Sequence, residues 1–264
     1  MEAILRFLDT RMTQPGMYGW FHIVSLVLMV AVTVLFCRFG KNWDKSKVLL
    51  TTAIVVIVLE VYKQVNYSFS YENGIAFDYK WFAFPFQFCS TPMYIGLLAG
   101  LTKKGKLHDA ACAYLATFAL FAGIGVMLYP CTVFTPTVGI NIQTVICHGS
   151  MVVIGVYLLY TGHVKLAHKT ILKAATVFAV CVAAAAIMNE VAHASGLLQQ
   201  ESFNMFYISP YSVSELPVYV QVQAVVPFPW CLVLYILGFT LAAYVILLIA
   251  MGIGKLTQKA KTPV

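Results

Sequence analysis

The chain has 264 residues, of which 61% are hydrophobic and 10% charged, with a mean hydropathy of +0.83 and a net charge of +7. A soluble domain carries about 25% charged residues, so this composition excludes an ordinary soluble enzyme and fits a polytopic membrane protein. The positive charge argues for no nucleic-acid partner, because most of it sits in a few short connections.

Residues 1–17 carry Ile4, Leu5, Phe7 and Leu8 among charges, the pattern of a short interfacial helix. No cleavable signal peptide is expected, since the first apolar run is longer than an h-region. Seven apolar runs follow, at about 18–38, 47–69, 84–102, 107–129, 140–162, 170–196 and 226–253. Each approaches the roughly 20 residues a helix needs to cross the hydrocarbon core. None shows the alternation of a membrane barrel. The expected fold is therefore all-α: a polytopic bundle of seven transmembrane helices forming one domain over 1–264, with 197–225 as an outer loop.

Thirteen of the 17 Lys and Arg residues fall in four places: Arg38 to Lys47, Lys103 to Lys106, Lys165 to Lys173, and Lys255 to Lys261. The alternate connections, 70–82, 130–139 and 197–225, carry only Lys80. The positive-inside rule then places the C-terminus in the cytoplasm and, across seven spans, the N-terminus outside. Trp20, Trp81 and Trp230 mark the outer interface, and a multi-pass protein of the cell membrane is expected.

Ionisable and polar side chains inside a membrane are costly and mark sites. Here they crowd the outer halves of the spans: His22 in the first, Glu60, Lys63, Gln64 and Asn66 in the second, Gln87, Cys89, Ser90 and Thr91 in the third. Gln143, Thr144, Cys147 and His148 follow in the fifth, and Asn189, Glu190 and His193 in the sixth. At 1.5 Å per residue, Cys89, His148, Glu60 and Glu190 fall at similar depth, which suggests one pocket open to the outer leaflet. Such groups also glue membrane helices together, and Glu60 with Lys63, or Glu190 with His193, each three residues apart, could simply neutralise one another.

The stretch "FPFQFCSTPM", Phe84 to Met93, poses a conflict. In a continuous helix Cys89 lies about 200° from Gln87, so both cannot face one pocket. Ser-Thr-Pro is a helix-start signature with Pro at the first position. The third span is thus expected to be broken near Pro92, with Cys89 just before a helix N-terminus, where thiolate is favoured. The alternative is that Cys89, like Cys37, Cys112 and Cys181, only fills space. The seven cysteines are an odd number, mostly within spans, and do not read as a disulfide framework. His22, His148, His193 and Glu190 lack metal-ligand spacing, so neither metal nor other cofactor is expected.

The chain resembles bacterial YwaF-like integral membrane proteins. The likeness rests on "FPFQFCS", "LYPCTVFTPTVGINIQ", "ICHGSMVVIGVYLLY" and the stretch from "FNMFYISPYSVSELPVY" to "VVPFPWCLVLYIL", in order over most of 20–250. The position before Phe88, often His in that family, is Gln87 here. The family looks related to a eukaryotic transmembrane acyltransferase that remodels ether phospholipids through a proposed cysteine intermediate. Membrane hydrolases using Thr and His are a more remote likeness.

The resemblance implies Cys89 as nucleophile and His148 as general base. Gln87, Ser90, Glu60, Lys63, Asn66, Asn189, Glu190, His193 and His22 would then line the substrate site. Its partners would be membrane lipids, with a phospholipid as acyl donor and a lysolipid or amine as acceptor. The expected function is an intramembrane lipid acyltransferase or lipid ester hydrolase near the outer leaflet. The alternative is a non-enzymatic transporter or lipid- or solute-binding protein whose broken helix faces an anionic ligand.

Overall fold

A backbone inside hydrocarbon must satisfy its own polar groups, and helices do this within one segment. The computed structural model, which describes residues 2–71, 74–130, 133–198 and 202–259, is accordingly built of helices joined by irregular connections, with one short hairpin, Phe69–Ser70 with Ala76–Phe77. Six helices are long and apolar enough to cross a membrane. They are α2 (Trp20–Phe39), α3 (Lys45–Asn66), the rod formed by α5 (Lys106–Tyr114), a π-helical turn (Leu115–Ala119) and α6 (Leu120–Leu128), then α7 (Val138–Tyr160), α8 (Lys169–Ser195) and α10 (Trp230–Lys259). Asp44 caps α3 by accepting from the N–H groups of Ser46 and Lys47, and Gly196 in the left-handed conformation ends α8.

The third expected span differs. Only Thr91–Thr102 is α-helical (α4), 12 residues, or about 18 Å, against a hydrocarbon core of about 30 Å. The segment from Ala83 to Thr102 nevertheless lies along α3. Ala83 O accepts from Gln64, Gly96 faces Ala53 and Gly100 abuts Leu50.

Two ends of the bundle are distinct. Gly40 and Trp43 pack near Tyr157, Gly100 near Leu50, Lys173 pairs with Asp109 at 2.9 Å, and Gly254 meets Leu166. These contacts gather the four basic clusters at one end. At the other end α1 (Glu2–Leu8) docks on the last turn of α3, where Leu8 O accepts from Tyr62 at 2.7 Å. Leu5 is buried there while Ile4 and Phe7 are exposed.

From residue 202 on, the stretch expected as an outer loop packs into the bundle. Phe203, Met205, Phe206, Ile208 and Tyr219 are buried in the main core, with α9 (Tyr219–Val225) folding back toward α10. Its sequence is apolar enough to enter the bundle, which is why it does.

Close helix approach depends on Gly155. A Cβ there would sit 2.6 Å from Leu120 Cβ and 3.1 Å from the Leu115 carbonyl oxygen in the π-helical turn. Gly238 on α10 has open space instead. Gly155→Ala should destabilise the protein by roughly 1–3 kcal/mol through overpacking, read as a lower unfolding midpoint in detergent. Gly238→Ala should leave that midpoint unchanged or raise it.

Candidate functional site

The break before α4 is hydrogen-bonded mainly through its carbonyls. Pro85 O accepts from Tyr94 OH (2.9 Å), Phe88 O from Thr91 Oγ1 (2.8 Å), and Cys89 O from Cys147 Sγ (3.6 Å). Gln87 O accepts from the N–H groups of Ser90 and Thr91, forming a single turn that leads into α4. As in any helical first turn, N–H groups at its start are left over: those of Gln87 and Phe88 make no hydrogen bond among the described residues. Pro85 and Pro92 explain the interruption, since neither can donate to a preceding turn. The expected break is present.

Gln87 and Cys89 do point to different places, and the structure resolves the conflict by giving each its own partner. Gln87 Nε2 donates to Asn204 O (3.0 Å), and Gln87 Oε1 accepts from Phe206 N (2.9 Å). Asn189 clamps the adjoining residue in the same way, donating to Met205 O (3.1 Å) and accepting from Met205 N (2.8 Å). The clamped loop carries Phe206 and Tyr207 at positive φ, 59° and 58°, and Met205 and Phe206 are fully buried. Both amides are thus occupied by protein backbone.

Cys89 faces the other way, into a small cavity of about 30 Å³ between α3, α4, the π-helical turn and α7. Thr52, Met93, Cys147 and Ser150 share that lining. Met93 also borders a larger cleft of about 510 Å³ lined by Ile57, Val61, Phe77, Tyr94 and Leu97, with Glu60 and Gln64 supplying polar atoms. Val61, Phe77 and Tyr94 are exposed on the flank of the bundle, so this cleft opens sideways.

Glu60 is the hub of a buried network. It pairs with Lys63 at 2.8 Å and accepts from Gln64 (2.8 Å) and Gln143 (3.3 Å). Gln64 in turn accepts from Tyr79 OH and donates to Ala83 O. Removing one member would strand a charge, so the network locks α3, α7 and the break. It also brings the Lys63 ammonium within electrostatic reach of Cys89, Cys147 and His148, and the Glu60 carboxylate within reach of the two cysteines.

His148 is buried on α7, with Nδ1 at 2.7 Å from Thr144 O. A carbonyl only accepts, so Nδ1 carries the proton and Nε2 keeps a lone pair. Nε2 makes no hydrogen bond among the described residues. No hydrogen bond joins His148 to Cys89. The residue that meets Cys89 is Cys147, and a neighbour on the helix is turned about 100° away.

The remaining expected residues are spread over the outer end. His22 Nδ1 accepts from Tyr18 N (2.9 Å) and Nε2 donates to Met127 O (2.7 Å), so both ring nitrogens are used in joining α2 to α6. Asn66 reaches Leu8 O at 3.4 Å. Glu190 and His193 are exposed and both engage Tyr211, one by a 2.6 Å hydrogen bond and the other by stacking with ring centres 3.5 Å apart. The hydrogen bond to Glu190 raises the Tyr211 phenol above its ordinary pKa. Ser90 is buried beside Cys89.

The one cysteine–histidine hydrogen bond among the described residues was not foreseen. Cys112 donates to His108 Nε2 (3.5 Å), whose Nδ1 donates to Ala99 O (2.9 Å). It lies near the basic end, fully packed, and ties α5 to α4. The sequence signal for Cys147 is that Gln143, Cys147 and Ser150 share a face at helical spacing. The roles of Tyr94, and of Tyr114 at 2.6 Å from Thr91 Oγ1, left no mark in the sequence pattern.

Asn189→Ala or Gln87→Ala should leave buried backbone groups unpaired and destabilise the bundle by about 1–3 kcal/mol each. Limited proteolysis should then cut between residues 202 and 215. Glu190→Ala, on an exposed pair, should change stability by less than about 0.5 kcal/mol.

A model of the TMEM164 family matches residues 17–251, a stretch that includes the break, α7 and the clamped loop. No curated protein and no solved structure matches the chain. With most of its length matched and six membrane-length helices in the bundle, this multi-span chain belongs to the TMEM164 family of membrane proteins.

Proposed function

We propose that the protein is an intramembrane acyl-transfer enzyme of the cell membrane that acts on lipid esters, with Cys89 as nucleophile and His148 as general base. One observation carries this reading. Cys89 sits in a turn whose first N–H groups, at Gln87 and Phe88, have no acceptor among the described residues. An unpaired N–H in hydrocarbon costs several kcal/mol, so these donors favour a ligand oxygen. A lipid ester carbonyl supplies one, and its oxyanion is a better acceptor still. The neighbouring cleft opens sideways, through which an acyl chain enters without leaving the membrane. The bacterial subtype suggested by "FPFQFCS" and "ICHGS" belongs to this reading too.

In the proposed reaction, His148 Nε2 takes the Cys89 proton, directly or through one hydroxyl, and the sulfur attacks the ester carbonyl. The positive end of α4 favours negative charge at the sulfur, and Lys63 does so against the opposing Glu60 carboxylate and burial. The carbon–oxygen bond then breaks, the leaving alkoxide regains the proton from His148, and an acyl thioester remains on Cys89. A hydroxyl, an amine or water attacks the thioester and restores the thiol. With Gln87 and Asn189 holding the loop, the oxyanion donors are the turn's N–H groups and Ser90.

A second reading, a non-enzymatic lipid-binding protein or transporter, is favoured by one observation: Cys89 and His148 share no hydrogen bond. The two separate on intact mass. Incubation with phospholipid should add one acyl group to the wild type and none to Cys89→Ser, while Cys112→Ser should acylate normally. His148→Ala should slow acylation roughly 100- to 10,000-fold. An adduct that persists in Cys89→Ser rejects the nucleophile, and liposomes that move solute with every lipid unchanged favour the transporter.

The basic end is proposed to face the cytoplasm, with α1 outside. A fluorescent protein fused after Val264 should then fold and fluoresce, and a periplasmic phosphatase at the same position should stay inactive. The reverse pattern would invert the topology.

A further inference from the structure

We propose that Cys89 and Cys147 are a peroxide-sensitive thiol pair, closing to a reversible disulfide when hydrogen peroxide or another small hydroperoxide reaches them. The two come from different elements and meet at one point: Cys147 Sγ is 3.6 Å from Cys89 O, and both line the same cavity of about 30 Å³. A disulfide closes between Cα atoms about 4.4–6.8 Å apart and tolerates little error. Cys147 is fixed in the middle of α7. Cys89 sits in a non-α turn, and one of the contacts holding that turn is the Cys147 thiol itself. Losing this weak hydrogen bond lets the turn rotate its sulfur toward its partner.

The cavity has room for the oxidant: a water needs about 10–15 Å³ of such space, and about 30 Å³ admits a molecule the size of hydrogen peroxide. The other described cysteines lack this arrangement. Cys112 faces His108, while Cys37, Cys181 and Cys231 lie on α2, α8 and α10 away from the cavity.

The chemistry balances with peroxide as co-reactant. The Cys89 sulfur attacks one peroxide oxygen, the oxygen–oxygen bond breaks, and the departing hydroxide leaves as water with the thiol proton. The Cys147 sulfur then attacks the resulting sulfenic acid, the sulfur–oxygen bond breaks, and a second water leaves. Two thiols lose two electrons and one peroxide gains them. A dithiol reductant reverses the change.

The test uses the full chain in lipid nanodiscs, treated with hydrogen peroxide, then denatured and alkylated with N-ethylmaleimide. Treated wild type should carry two fewer maleimide groups, a digest should yield a peptide joining Cys89 to Cys147, and dithiothreitol should restore both thiols. In Cys147→Ser the joined peptide should vanish, and dimedone should trap Cys89 as its sulfenic acid. The proposal is overturned if treated wild type keeps every thiol alkylatable, or if the bridge joins other cysteines or two chains. It is equally overturned if dimedone fails to label Cys89 in Cys147→Ser. All readouts are masses taken without lipid substrate. A missing bridge therefore leaves the acyl-transfer reading standing, and a missing acyl adduct leaves the thiol pair standing.

Discussion

Gln87 hydrogen-bonds through both ends of its amide to the backbone between Asn204 and Phe206, and the bundle depends on that exchange. Irregular backbone at membrane depth survives only when protein satisfies it. Here two irregular segments, the turn before α4 and the loop after α8, are brought together in the core and held by side chains. Gln87 and Asn189 serve the loop, while Tyr94, Thr91 and Cys147 serve the turn. Aromatic packing of Phe88 on Phe178, Phe206 and Phe239 then seals the joint.

This arrangement divides the polar residues into two kinds. Those held by hydrogen bonds or ion pairs to other elements, such as His22 and Glu60, act as fasteners, and their burial is tolerable because it is paired. Among the described residues, those with capacity left over include the N–H groups at the start of the turn, the second nitrogen of His148 and the buried hydroxyls of Tyr71, Tyr219 and Thr240. Unfulfilled capacity in a low-dielectric interior is where a ligand gains most, which is why the proposed chemistry centres on the turn.

The same logic explains the position of Cys89. Its turn is fastened on one side by Gln87, so its sulfur is presented to the opposite side, toward α3 and α7. Met93 forms the wall between that small cavity and the lateral cleft. A shift of one flexible methionine side chain would join them, linking a membrane-facing groove to the sulfur without opening the bundle to water.

Length and hydropathy determined the membrane-spanning helices, because a helix that closes its own hydrogen bonds depends only on local residues. Charge distribution likewise determined that Arg38, Lys103, Lys165 and Lys255 mark one end, and Ser90-Thr91-Pro92 announced the start of α4. The partners were another matter. That Gln87 meets residue 206 and not the pocket, that Cys147 meets Cys89, and that "FNMFYIS" enters the core were decided by contacts across more than 50 positions of chain. A helical wheel gives the direction of a side chain but not what stands opposite. Only the packed bundle supplies that, since an amide is indifferent to whether its partner is a lipid or a loop until one of them is in reach.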